Sequence, residues 1–182
     1  MSQTVEILNF ILGTGTVLIQ IATILLIVIY FLRNQSAVLK MFTRFVGTWG
    51  LLATFLLMLG STGMSLYYSE VLGFLPCGLC WLQRVFIYSI TVILGVALIK
   101  KDKKITDYVI TLSIFGILFS LYQHYLQLGG TDVIPCPATT VGDCAKRIMF
   151  EFGYVTYPLM AFSTLAFVIV VMFFVKKINK IS

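Results

Sequence analysis

The sequence predicts an all-α integral membrane protein: a four-helix transmembrane bundle with an additional N-terminal transmembrane helix. Three observations carry this. The chain is 59% hydrophobic and 11% charged, with a mean hydropathy of +1.00, whereas a soluble domain carries roughly a quarter charged residues. The apolar residues fall in five long blocks, near 9–32, 46–68, 81–99, 105–128 and 156–175. Each is long enough to cross a ~30 Å hydrocarbon core as a helix. The blocks are also continuous runs of Leu, Ile, Val and Phe, while a spanning barrel needs alternating strands of ~10 residues.

The first block, 9–32, resembles a secretory signal in hydropathy, but it carries Glu6 where a basic n-region belongs and lacks a clear small-residue cleavage site. It is therefore read as a retained span. The second and third blocks flank a short outer loop, 69–80, that ends in Pro76 and a C-x-x-C. Proline disfavours helix in the residue before it, so the third helix is expected to start just after Pro76. Lys100-Lys101-Asp102-Lys103-Lys104 makes a tight turn into the fourth block. A longer outer loop, 129–155, follows; it opens on Gly129-Gly130, contains Pro135-Cys136-Pro137 and reaches Pro158 as the fifth span begins. The segment 33–45 is read as a weakly amphipathic basic connection.

The net charge of +6 raises the question of nucleic acid, and its placement answers it. Ten of the thirteen basic residues (Arg33, Lys40, Arg44, Lys100, Lys101, Lys103, Lys104, Lys176, Lys177 and Lys180) fall on one side of the spans. The other side keeps Arg84, Lys146 and Arg147 with Glu6, Glu70, Asp132, Asp143 and Glu151. The positive-inside rule makes the Lys/Arg face cytoplasmic. The five spans then run N-out/C-in, the basic turns are topology signals rather than a nucleic-acid surface, and both outer loops face the extracytoplasmic side.

Those loops hold all four cysteines: Cys77 and Cys80 in the C-x-x-C, Cys136 and Cys144 in the longer loop. Disulfides persist on the non-cytoplasmic side. A C-x-x-C at a helix amino terminus suits thiol exchange, because free backbone N–H groups and the helix dipole favour the thiolate that attacks a disulfide or another acceptor. Arg84 follows Cys80 by four residues and so shares its helix face. A guanidinium there is costly inside a membrane; it can stabilise a Cys80 thiolate, hydrogen-bond an acceptor oxygen, or snorkel to the interface. His124, the single histidine, lies at a matching depth on the fourth span. It is read either as a donor to a quinone carbonyl or as an interfacial side chain satisfied by a backbone carbonyl or a tyrosine hydroxyl. Cys136-x7-Cys144 can close a disulfide if its Cα atoms come within about 4.4–6.8 Å. From these residues alone, redox chemistry, inert structural disulfides and a zinc site all stay open, although Cys136-x7-Cys144 is an unusual half for zinc.

Taken together, Pro-Cys-x-x-Cys-x-x-x-Arg at 76–84, His124 followed by Leu126-Gln127-Leu128, Cys136, and Gly-Asp-Cys-Ala-x-Arg at 142–147 resemble the DsbB family of bacterial disulfide bond formation proteins. The order of the two pairs differs from the related vitamin K epoxide reductase family, which carries its loop pair first. The resemblance covers about residues 46–175. It implies a bacterial cytoplasmic-membrane enzyme that oxidises an extracytoplasmic thioredoxin-like, DsbA-type partner and passes the electrons to a membrane quinone, ubiquinone or menaquinone. It implies that Cys80 is the quinone-proximal thiolate, with Cys77 as its disulfide partner, and that Arg84 and His124 bind and polarise the quinone. Cys136 would form the mixed disulfide with the partner and Cys144 would resolve it. Two features depart from the family's best-known members: the extra first span and the short spacing of the loop cysteines, which is similar to compact Gram-positive versions. On this reading residues 1–45 form the extra helix with its basic cytoplasmic connection, and 46–182 form the DsbB-like four-helix redox domain. The competing reading is a small membrane scaffold or transporter whose outer loops are stapled by structural disulfides.

Overall fold

A computed structural model describes residues 3–102, 104–131, 133, 136 and 143–179. Lys103, Asp132, Pro135, Pro137, Gly142 and Lys180, used in the sequence reading, lie outside the described residues. Five helices are each long and apolar enough to cross a membrane: α1 (Gln3–Leu32), α2 (Ala37–Leu66), α3 (Gly78–Lys100), α4 (Thr106–Gln127) and α5 (Tyr157–Asn179). The protein is a multi-span all-α bundle, as the apolar blocks predict.

The largest boundary difference lies in the basic connection. α2 begins at Ala37, so most of the segment expected to link the first two spans is its opening turns. Ser36 caps it in an extended conformation, its Oγ accepting the Val38 N–H at 3.3 Å, and such a cap satisfies one of the first-turn donors a helix leaves open. Basic residues on that first stretch broke the apolar run without breaking the helix. At its other end α2 widens into a π-type turn over Tyr67–Val71 before the short segment leading to Cys77. α3 closes on Lys101 in the left-handed conformation, φ 54°, which makes the sharp reversal into α4.

α2, α3, α4 and α5 form a ring in which each helix packs on the next and α5 returns to α2. α1 stands outside that ring, laid along α5 and barely touching α2. The core runs down the ring through Met58, Ile90, Leu94, Val109, Leu165, Val168, Met172 and Phe174. Helices in lipid associate by close packing rather than by escape from water, and small residues permit it. Gly116 of α4 is such a point: a Cβ there would come within 2.6 Å of the Leu165 side chain on α5.

Candidate active site

The C-x-x-C takes its shape from the start of α3. Cys77 is the N-cap, with extended backbone (φ −73°, ψ 172°), and its Sγ accepts the Cys80 N–H at 3.3 Å. Cys80 therefore sits in the first turn, where backbone donors lack intrahelical acceptors and negative charge is favoured. The two sulfurs are free thiols 2.7 Å apart. Bonding to Cys80, burial and the nearness of the Cys80 charge all push the Cys77 thiol up.

The side chain in contact with both sulfurs is one the sequence reading did not single out. Gln123 on α4, 2% exposed, donates its Nε2–H groups to Cys77 Sγ at 3.1 Å and Cys80 Sγ at 3.2 Å. Gln83 on α3 donates to Gln123 Oε1 at 2.6 Å, which fixes the carboxamide with its donors toward the sulfurs. The signal was present in the sequence: Gln83 and Gln123 are uncharged polar residues inside apolar spans, beside Arg84 and His124, and intramembrane polar groups mark function.

Arg84 is buried and does not snorkel. Its guanidinium lies over the Trp81 ring, 5.3 Å from the centroid, and donates to the Ser65 carbonyl at 2.9 Å. That carbonyl belongs to the last turn of α2, where the helix dipole favours a cation. His124 is held by a different neighbour: its Nδ1 is 2.8 Å from the Thr156 hydroxyl, just ahead of α5. Trp81, 51% exposed, and Val85 leave an apolar flank open beside Cys80 and Arg84.

Cys136 and Cys144 are joined in a disulfide with Cα atoms 6.3 Å apart, inside the span such bonds need. That bond uses two of the four sulfurs that a zinc site built from thiolates alone would require. Cys144 is buried in one cluster with Cys77, Leu79 and Leu126, and Cys80 and Cys136 pack against it. The two cysteine pairs, far apart in sequence, therefore share one small hydrophobic core. α4 fastens both: Gln123 holds the C-x-x-C, and one turn later Gln127 donates to the Lys146 carbonyl at 3.1 Å, two residues past Cys144.

Residues 44–175 match the family described as "Disulfide bond formation protein DsbB". The chain belongs to the DsbB family. It is similar to the "SPbeta prophage-derived disulfide bond formation protein B" of Bacillus subtilis (strain 168), 41% identical over 119 residues, 65% of this chain and 79% of the relative. It is also similar to "Disulfide bond formation protein C" of the same organism, 35% identical over 112 residues, 60% of this chain and 78% of the relative. A "Probable disulfide formation protein" of Chlamydia caviae is 34% identical over 125 residues, 68% of this chain and 88% of the relative. No solved structure matches the chain. Membership of the DsbB family and the two cysteine pairs support a thiol-oxidoreductase role for this membrane protein.

Proposed function

We propose that the protein is a membrane thiol:quinone oxidoreductase that reoxidises an extracytoplasmic thioredoxin-like, DsbA-type protein and so supports disulfide bond formation. The observation that carries this reading is the shared core: a disulfide and a dithiol pack against each other at one end of a membrane bundle. Inert staples have no need to be adjacent, whereas thiol–disulfide exchange needs a thiolate within reach of a disulfide.

A thiolate of the partner attacks Cys136, the Cys136–Cys144 bond breaks, and Cys144 leaves as thiolate. The partner's second thiolate, rather than Cys144, then attacks the partner's sulfur in the mixed disulfide, because attack by Cys144 would only return the partner reduced; oxidised partner is released and Cys136 and Cys144 are left reduced. That dithiol reduces a Cys77–Cys80 disulfide by the same chemistry, forming its own disulfide again. Finally the Cys77–Cys80 pair closes to a disulfide and gives up two electrons and two protons, which convert a quinone to its quinol. Gln123 holds the sulfurs and stabilises charge on them.

The flank at Trp81 and Val85 suits a lipid-borne ring, and Arg84 and His124 are the polar groups of the outer end suited to its oxygens. Ubiquinone and menaquinone both meet that chemistry. The charge pattern supports an N-out/C-in orientation in the bacterial cytoplasmic membrane, with the cysteine loops outside. Residues 46–182 are the redox domain and 1–45 an accessory segment; this division is one of function, since α2 runs through it.

The test is to purify the protein with its cysteines oxidised and mix it with a reduced thioredoxin-like protein and a soluble quinone analogue, following quinone absorbance. Catalytic loss that vanishes in Cys80→Ser supports the assignment. Absence of reduction with several quinones and partners returns the cysteines to the scaffold reading.

A further inference from the structure

α1 lies outside the matched region, which starts at residue 44, and it carries polar side chains into a membrane. Polar groups within a span are expensive and need partners. Asn9 is 1% exposed. Its Oδ1 accepts from the Tyr68 hydroxyl at 2.8 Å and from the Tyr157 hydroxyl at 3.1 Å. These two tyrosines belong to the two outer segments. Tyr68 lies in the π-type turn that ends α2, and its carbonyl accepts the Phe74 N–H at 3.0 Å on the way to Cys77. Tyr157 opens α5, directly after the loop that carries Cys136 and Cys144. The rings of Tyr68 and Tyr157 meet edge to face, 5.1 Å apart.

The rest of α1's outer half is aimed at the same loop. Residues 151–155 form a turn closed by the Glu151–Val155 bridge, and Phe152 stands in it at φ 53°, a conformation that non-glycine residues rarely hold. The Phe152 ring packs on Phe10 of α1, 5.7 Å between centroids. One turn along α1, Gly13 lets the helix approach the loop. A Cβ there would sit 3.1 Å from Glu151 Cβ and 3.2 Å from Met149 Cε. Further along, Gln20 accepts from the Tyr154 hydroxyl and donates to Ser163 on α5, both at 2.9 Å.

Polar glue between α1 and α5 explains the Ser163 bond. It does not explain why Asn9, Phe10, Gly13 and Gln20 all meet Tyr68 or the 149–157 segment. We propose that α1 is a brace that fixes the two cysteine-bearing outer segments relative to each other, with Asn9 as the positioning residue that ties them. The inference rests on the redox reading for its consequence: the brace sets the approach of the loop pair to Cys77–Cys80, where small misplacements slow a reaction strongly.

The test uses the full-length protein in lipid nanodiscs with all cysteines oxidised. Reduced thioredoxin-like protein is added, samples are quenched in acid and alkylated, and the reduced fraction of each pair is followed by mass spectrometry. In Asn9→Leu, the loop pair should be reduced at the wild-type rate, while transfer onward to Cys77–Cys80 slows about tenfold or more. Tyr68→Phe should slow the Asn9→Leu protein by less than it slows the wild type, because the Tyr68–Asn9 bond is already gone. Gln20→Leu gives a second, independent variant should Asn9→Leu fail to fold. Onward transfer at the wild-type rate in a folded variant, or equal slowing of both steps, overturns the brace. If the wild-type Cys77–Cys80 pair is never reduced, it is the redox reading that fails. Hydrogen exchange then decides the brace alone: amides of 149–155 should exchange faster in Asn9→Leu with α3 and α4 unchanged, and equal protection overturns it.

Discussion

The side-chain nitrogen of Gln123 lies 3.2 Å from the Sγ of Cys80, and it is presented there by Gln83 from the neighbouring helix. A hydrogen bond to a charged group is worth about 1.5–3 kcal/mol, which is roughly a ten- to hundredfold change in rate if it acts on the reacting thiolate. Quinone reduction by the pre-reduced Gln123→Leu protein should slow by that amount, and Cys80 should alkylate more slowly at fixed pH. Gln83→Leu should produce a smaller loss of the same kind, since it frees the carboxamide without removing it. Stopped-flow quinone absorbance gives the first readout and iodoacetamide labelling the second. Wild-type rates in both would remove Gln123 from the mechanism.

The two cysteine pairs should separate cleanly by mutation. Cys80→Ser should abolish quinone reduction, because Cys77 alone cannot close the disulfide that supplies two electrons. Cys136→Ser blocks oxidation of the thioredoxin-like partner while quinone still binds, as read by partner alkylation and by quinone titration. Turnover at the wild-type level in either variant contradicts the role assigned to that cysteine.

Arg84→Lys should raise the apparent quinone KM more than it lowers the melting temperature. Lysine keeps a charge but loses the planar fork that reaches the Ser65 carbonyl while lying over Trp81. Steady-state quinone titration beside thermal unfolding in the same detergent checks this. An unchanged KM would count against Arg84 as a quinone ligand.

Stability should depend on the packing of α4 on α5 far more than on their ion pair. Gly116→Leu forces a side chain into Leu165 and should cost about 1–3 kcal/mol or more. Asp107→Asn removes the bridge to Lys176, a pair whose side chains are 63% and 40% exposed. Such surface pairs are worth about 0–1 kcal/mol, so its unfolding midpoint should barely move. The reverse ranking in a denaturant series would show that the core is not where the bundle is held.

Much of the fold was legible because membrane spans announce themselves by length and continuity of apolar residues. Each of the five blocks corresponds to a helix of the structure, and the boundaries failed where the sequence signal was charge rather than conformation. Lys40 and Arg44 looked like a connector, yet a helix tolerates them on an exposed face. The cysteines, Arg84 and His124 stood out by residue type. Gln123 was marked only as a polar residue inside an apolar span; its role comes from a contact between α3 and α4 across forty residues of sequence, which a single-chain periodicity cannot express. The direction in which α1 packs was equally hidden: its few polar residues do not say which neighbour they will meet, and Asn9 becomes informative only once Tyr68 and Tyr157 are seen around it.

Cys77 is 4% exposed, roofed by Leu79, Leu126 and Cys144. A hydrophilic small thiol such as glutathione therefore finds little of Cys77 to attack. The arrangement that brings the pairs close thus also screens Cys77, while Cys80 stays partly exposed. On the proposed electron route, burial of Cys77 keeps stray soluble thiols away from that sulfur.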